Sequence, residues 1–586
     1  MTSHDLPGLG APAGGNGAGP GHQPRARDDT TRYLCAAAHL DPDYANKAIR
    51  EFLVEDTRPV PVTPGVDAAA VLGEAVAART RRKLRDIALL LLLIAILFLA
   101  PTELLVGWVV AAFLVAGAAT AQSVQKVGTP VKPVVAVVVG GLVVFAVMMF
   151  GPQLMEMLSS SGTDSSSAYG FEPEPSTSVG TTVGVILVVA AMLAVLLADR
   201  FVVWKHLNER FWPNRLSAQP LRSEARPVFE FSPNHLRDQL RRYTNPRVTM
   251  ANLPGDQSSG RERPAPLIVY RSFVPFVGAG TPEDPWSIAV PLERLPGAEP
   301  TLELTTEALY AGIRAEVESL RGAGTLAPGR RLRDLAVNEV VIASADELID
   351  HLAEPSAADF LQRPGQPPFT MIRGDRVRSI RSDPLEWARY YQCYQVETWD
   401  RDLVVTVFVH VAVGRGALYV EWTPCVLRPI KMKYQRFDQM SRSPLRPVGQ
   451  ALLDLFRLPT SIPGRLAHTL TFMRPLPRDK GVLSPDMYGV SSSLRELAAD
   501  RRVHNYFQLA DVDRYLKMLE SRLTLAVSRM MRAAGYSPAS FDEQAAAVVN
   551  NNIHIGGSVS GNVVAGTGNK VRSGAEPRDT QTARTE

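Results

Sequence analysis

At 586 residues and a net charge of +4, the chain has room for several structural units but lacks the basic excess that marks a nucleic-acid binder. Its three cysteines, Cys35, Cys393 and Cys425, lie far apart and form no C-x-x-C. A disulfide framework and a cysteine-based zinc site are therefore excluded as expectations, and nucleic acid as a partner.

Residues 1–30 are rich in Gly, Pro and Ala and read as a disordered tail. Residues 31–83 read as a cytoplasmic helical segment. Apolar positions recur at helical spacing from Tyr33 to Leu40 and from Tyr44 to Leu53, and Asp41-Pro42-Asp43 breaks the run and offers an N-cap. Arg58 to Pro64 is an extended, Pro-rich linker, after which a helix from about Asp67 runs into the first apolar stretch.

Residues 84–199 dominate the chain. They hold four apolar runs, 84–100, 104–121, 133–151 and 182–198, with no charge in their central parts. Each measures roughly 26 to 29 Å at the rise of a helix, close to the hydrocarbon thickness. Pro101 separates the first two, since an unbroken helix over 84–121 would be about 57 Å long. Arg79, Arg81, Arg82, Lys83 and Arg85 gather at the start of the first run. Lys126 and Lys132 separate the second from the third, and Arg200, Lys205 and Arg210 follow the fourth. The connection 152–181 has only acidic charges, Glu156, Asp164, Glu172 and Glu174. The positive-inside rule then places both termini in the cytoplasm. The expected fold is an α-helical membrane bundle of four transmembrane helices with a cytoplasmic α+β domain and a C-terminal helix, sitting multi-pass in the cell membrane. With no cleavable signal peptide, the first run would act as a signal anchor. Phe201, Trp204, Phe211 and Trp212 suit either an interfacial aromatic belt or cytoplasmic packing.

Residues 200–246 read as a juxtamembrane helical segment, with 216–242 helical and polar, and 247–475 as the α+β domain. Short β-branched runs occur at Val248–Leu253, Leu267–Tyr270, Ser287–Pro291 and Glu339–Ile342, with a mobile loop expected over 258–264. Thr305–Arg321 predicts an amphipathic helix. From Leu403 to Val413 every second residue is Leu or Val, which predicts a strand. Gly414-Arg415-Gly416 turns it into a partner from Ala417 to Thr423. A symmetric loop would set Phe408 opposite Trp422, and a glycine bulge would shift that register.

Residues 485–540 read as helical. Their longest helix is predicted to start at Asp511 or Asp513 and to stop at Gly535. Over 511–534 the residues Val512, Leu516, Leu519, Leu523, Ala526 and Met530 form an a/d stripe, suited either to a short coiled coil or to packing on the helix's own domain. In 548–571, apolar β-formers recur among Gly, Asn and Ser. They would stack on copies from other chains or form a turn-rich end, and 572–586 read as disordered.

Phe273-Val274-Pro275-Phe276-Val277-Gly278-Ala279-Gly280 with Trp286-Ser287, Ala388-Arg389-Tyr390-Tyr391-Gln392-Cys393 and the Leu403 hairpin resemble an uncharacterised group of actinobacterial multi-pass integral membrane proteins. The resemblance covers about half the chain and carries no activity to transfer. The tail is similar to Gly/Asn/Val-rich tails of bacterial signalling and conflict proteins.

Catalytic patterning is absent: no phosphate-binding loop, H-E-x-x-H or G-x-S-x-G occurs. The Gly278-Ala279-Gly280 loop lacks a third glycine and a following helix, so it reads as a hairpin loop whose acidic tip could touch a partner. Ser123-Val124-Gln125-Lys126 stands without companion motifs. Asp511 and Asp513 read as caps, and His410 as a packed or surface residue. The sequence therefore assigns no catalytic, cofactor-binding or metal-ligating residue and no cofactor. The expected function is a membrane-anchored cytoplasmic interaction or scaffold module. It would contact the lipid bilayer and an unknown protein partner, and self-associate through 511–534 and 548–571. An oligomeric channel or transporter is one alternative, although the spans offer no central ionisable residue and mostly small residues for packing. An enzyme of unrecognised type is the other.

Overall fold

The computed structural model describes residues 29–112, 179–211, 230–244, 264–439, 443–476 and 484–551, apart from a few isolated positions within them. The 1–28 tail, the second run beyond 112, the third run 133–151 and the 152–178 connection lie outside the described residues. So do Ser123–Lys126, Trp212, most of the 216–242 helix, the Val248–Leu253 run, most of the 258–264 loop, and 552–586.

Helices α1 (Thr30–Leu40) and α2 (Pro42–Ile49) meet at Asp41, whose carboxylate accepts from the Asp43 and Tyr44 amides. Helix α3 (Ala68–Leu99) starts at Asp67, which caps the Ala70 amide. Its partner α4 (Val179–Arg210) packs along it, and α5 (Pro233–Thr244) closes the helical junction. Leu34, Phe52, Leu72 and Leu207 bury together there with Tyr434, Met473 and Leu494 from the C-terminal half.

The expected four-helix membrane bundle is not the fold. Among the described residues one helix, Thr181–Arg210, is long and apolar enough to cross a membrane. The first run fails because α3 carries Arg82, Lys83, Arg85 and Asp86 before its apolar part and ends at Leu99, ahead of Pro101. The 13 residues from Ile87 to Leu99 reach about 20 Å, short of the roughly 30 Å core. What dominates instead is a mixed eight-stranded sheet.

Its strands are β1 (Ala265–Tyr270), β2 (Thr281–Pro282), β3 (Trp286–Pro291), β4 (Ala336–Ser344), β5 (Met371–Ile372), β6 (Ala388–Thr398), β7 (Leu403–Gly414) and β8 (Ala417–Leu427). The order is β2-β8-β7-β6-β4-β1-β5, with β3 also on β8; β1 and β4 are parallel and the other pairs antiparallel. Along one edge, β2 and β3 therefore form a single line broken at Glu283-Asp284-Pro285, where Asp284 takes φ 44°. Such a break blunts an edge that would otherwise template pairing.

Strand β7 is central and buried on both faces. Val405, Val407, Val409 and Val411 enter the main core with α6 (Thr306–Glu318), α12 (Tyr506–Ala533) and α13 (Ala539–Asn551), while Phe408 joins Phe276, Tyr391 and Cys393 on the other face. Between α6 and α12 the chain forms α7 (Ala345–Asp350), α8 (Gly374–Ser382), α9 (Leu445–Phe456), α10 (Leu458–Leu470) and α11 (Leu494–Ala498).

Two local expectations are corrected. The β7–β8 turn has two residues, Arg415-Gly416, so Phe408 faces Thr423 and Val409 faces Trp422. Trp422 instead stacks on Trp286 of β3 at 6.0 Å. Helix α12 begins at Tyr506, capped by Asn505, not at Asp511 or Asp513. Its a/d stripe is occupied by its own domain: Leu519, Leu523 and Ala526 are in the main core, with Val512, Leu516 and Met530 packed against it. Helix α13 extends over Val548–Asn551, the start of the Gly/Asn/Val segment.

Candidate functional site

The break in the sheet edge opens a cavity of about 360 Å³ between β8 and the N-terminal half of α12. Trp422, Pro424 and Val426 of β8 and Leu509, Val512 and Leu516 of α12 give it apolar walls. Charges ring these walls in near balance: Glu283, Asp284, Asp513 and Glu520 against Arg428, Arg501, Arg502 and Lys517. Some are already paired, Arg428 with Glu283 and Lys517 with Asp513. Glu520 accepts from the Trp286 indole at 2.8 Å, and burial pushes its carboxyl up despite that bond. A second cavity of about 350 Å³ adjoins along Val426, Arg428 and Arg501 and runs beneath the Gly280 loop.

The Gly278-Ala279-Gly280 loop is a cradle for a side chain of the same chain. The Gly278 and Gly280 amides both donate to Glu496 Oε1 at 2.9 Å. Glu496 reaches them from α11, where its other oxygen completes a capping box with Ser493. Gly280 sits at φ +94°, and a Cβ there would collide with the Val426 carbonyl. Gly280→Ala is expected to cost roughly 3 kcal/mol, from strain plus displacement of β8; a thermal melt of the full chain checks it.

His410 lies in β7 with Nδ1 at 3.0 Å from the Tyr390 carbonyl and 3.4 Å from the Tyr310 hydroxyl. Burial holds its pKa below the ordinary value, against the Tyr390 bond, so the ring is neutral and packed. Asp511 accepts from the Trp399 indole at 2.9 Å and pairs with Arg514, and Asp513 sits on the cavity rim. All three cysteines are buried, and burial raises each thiol, which makes them poor nucleophiles.

A second polar cluster, invisible in local sequence patterns, ties α1, α3 and α4 together. His39 Nε2 and His206 Nε2 approach the same Glu74 oxygen at 2.8 and 2.9 Å. Among the described residues only this group brings three metal-type ligand atoms within 4.8 Å of one another. Its surroundings favour protons over a cation. Arg81 Nη1, a donor only, lies 3.4 Å from His39 Nδ1, so Nδ1 accepts and the ring proton sits on Nε2, aimed at Glu74. Arg210 lies 3.8 Å from the other Glu74 oxygen. Burial lowers His39 to about 4, against its bond to Glu74. Burial alone would raise Glu74, but the His206 and His39 bonds overturn it and hold the carboxyl at about 2.

Among the described residues of the two cavities and the polar cluster, no activated nucleophile stands beside a base. Residues 285–564 match the family model of the AbeC-like domain. That match spans just under half of the chain. The matched region takes in β3 to β8, α6 to α13 and most of the cavity wall, while β1, β2 and the helical junction up to α5 lie before it. Of the residues that carried the first resemblance, Trp286-Ser287, Ala388–Cys393 and the β7–β8 hairpin fall inside it, and Phe273–Gly280 outside. No curated protein and no solved structure matches the chain.

Proposed function

We propose that the chain is a membrane-anchored cytoplasmic docking module, in which the apolar parts of α3 and α4 hold it at the bilayer and the AbeC-like region presents the edge cavity to a protein partner. One observation carries this: the apolar halves of these helices turn large side chains outward. Leu91, Leu97 and Phe98 of α3, and Ile186 and Leu187 of α4, are exposed, Phe98 at 83 %. A water-bathed pair of helices would cover such a face. Salt links such as Arg85 to Asp199 at 3.0 Å close the polar end of the same pair. At the cavity, apolar walls ringed by balanced charge suit a polypeptide segment better than a small anion or a nucleic acid. Kinship with actinobacterial membrane proteins belongs to the same proposal.

Full-length protein should float with liposomes and resist alkaline extraction, and it should capture a partner from native membranes. Leu516→Glu, on the cavity wall, should keep flotation and cut capture at least tenfold, about 1.4 kcal/mol of binding. Extraction into the supernatant would sink the anchoring, and undiminished capture would sink the cavity.

A further inference from the structure

We propose that α9 and α10 are not part of the water-facing domain but lie in the cytoplasmic leaflet beside α3 and α4; this deepens the anchoring proposed above and rests on it.

The two helices are amphipathic in the reverse of the aqueous sense. On α9 the inward side carries buried Ala451 and half-buried Asp454, which accepts from Arg200 Nε at 2.6 Å, while Leu445, Val448, Leu452 and Leu453 point outward. On α10 the inward side carries buried Leu458 together with Arg465 and His468, both bonded to Asp86 of α3, while Leu466 and Leu470 point outward. Leu445 is 76 % exposed and Leu470 62 %. In water the apolar stripe of a surface helix faces the protein and its charges face out. Here Asp454, Arg465 and His468 are spent on contacts inside the protein and the leucines are left outside, with Arg446 exposed at the start of α9.

Height identifies what covers them. Ala451 and Leu458 bury in one cluster with Leu89, Ile96, Met192 and Leu196, so the pair stands level with the apolar halves of α3 and α4. Its outer face is thus continuous with the face those helices turn to lipid. The 13 residues of α10 reach only about 20 Å, too short to cross a bilayer but enough to dip into one leaflet. The chain then returns to the polar junction, where Arg79 Nη2 donates to the Thr471 carbonyl at 2.8 Å. Of the three arginines in 445–470, Arg446 is exposed at the start of α9, where it suits an anionic cytoplasmic surface.

Nitroxide labels on single added cysteines test this, because Cys35, Cys393 and Cys425 are all buried and will not compete for label. Leu452→Cys and Leu466→Cys are compared with Leu187→Cys on α4 and with Lys517→Cys on the soluble region, using full-length protein in vesicles that contain anionic lipid. The readout is the ratio of collision with oxygen to collision with a water-soluble nickel chelate. The ratio at Leu452 and Leu466 should match Leu187 and exceed Lys517 several-fold. If both resemble Lys517 while Leu187 stays oxygen-favoured, the leaflet position is wrong and the anchoring stands. If Leu187 also resembles Lys517, the anchoring itself fails and the leaflet position with it. Labels at Leu452 and Leu466 shielded from both colliders would mean that a protein surface, not lipid, covers this face, which equally overturns the proposal.

Discussion

Glu230→Gln is expected to destabilise the helical junction by about 3 to 5 kcal/mol, because it strands two buried cations. Glu230 Oε1 lies 2.6 Å from Arg79 Nε and 3.0 Å from Lys83 Nζ, and all three side chains are at most 3 % exposed. Its second oxygen accepts from the Met473 amide at 3.1 Å. Neutralising it leaves two buried cations without their shared counter-charge. Arg79 keeps its bonds to Asn46 and the Thr471 carbonyl, and Lys83 keeps the Phe472 ring at 4.6 Å, but none of these supplies negative charge. The double variant Glu230→Gln/Lys83→Met should lose less than the single one, because one of the two stranded charges is gone. Thermal unfolding in detergent checks both. A Glu230→Gln melt within about 1 kcal/mol of the parent would mean that the junction solvates these charges in some other way.

That junction also shows where sequence reading succeeds and fails. Arg79, Arg82 and Lys83 stand in the sequence as a basic cluster at the edge of an apolar run, and they are 3 %, 4 % and 0 % exposed. Their partners come from far along the chain: Glu230 for Arg79 and Lys83, and the Ala38 carbonyl for Arg82. No local periodicity signals a contact of that separation. Caps, by contrast, are local chemistry, so the starts at Asp41, Asp67 and Thr305 and the stop at Gly535 were legible. Strand β7 was legible through its alternation, whereas β6, with Tyr-Tyr-Gln-Cys-Tyr-Gln at its centre, looks polar and was missed although it is buried on both faces. Against Tyr506, a start at Asp511 or Asp513 is five or seven residues late, because Tyr506 and Phe507 are exposed and add nothing to an apolar stripe. The four-span reading treated apolar content as sufficient; the length left between Asp86 and Pro101 decides against it. Of the edge cavity only the acidic tip at Glu283-Asp284 stood out in the sequence, since its other walls come from β8 and α12.

Acid should loosen the same junction through His39 and Glu74. His39 titrates near 4 in the folded chain against an ordinary 6.5. Between those values the unfolded chain binds the proton that the buried ring refuses, so the stability held above pH 6.5 is lost as pH falls toward 4. A shift of that size corresponds to about 3 kcal/mol. Glu74 acts in the same direction over a lower window: its folded value near 2 lies below the ordinary 4.5, so its contribution is present above 4.5 and lost as pH falls toward 2. Once protonated, His39 would place a cation beside Arg81, whose guanidinium already donates to its Nδ1. The melting temperature should therefore fall steadily from pH 7 to pH 4.5. His39→Gln lowers stability at neutral pH by losing a fitted ring, but it removes the titration, so its melting temperature should change far less over that interval. Parallel pH profiles for the two proteins would place the acid sensitivity elsewhere in the chain. A flat profile for the variant would tie it to the proton that His39 Nε2 shares with Glu74, the contact that fastens α1 onto the two long helices.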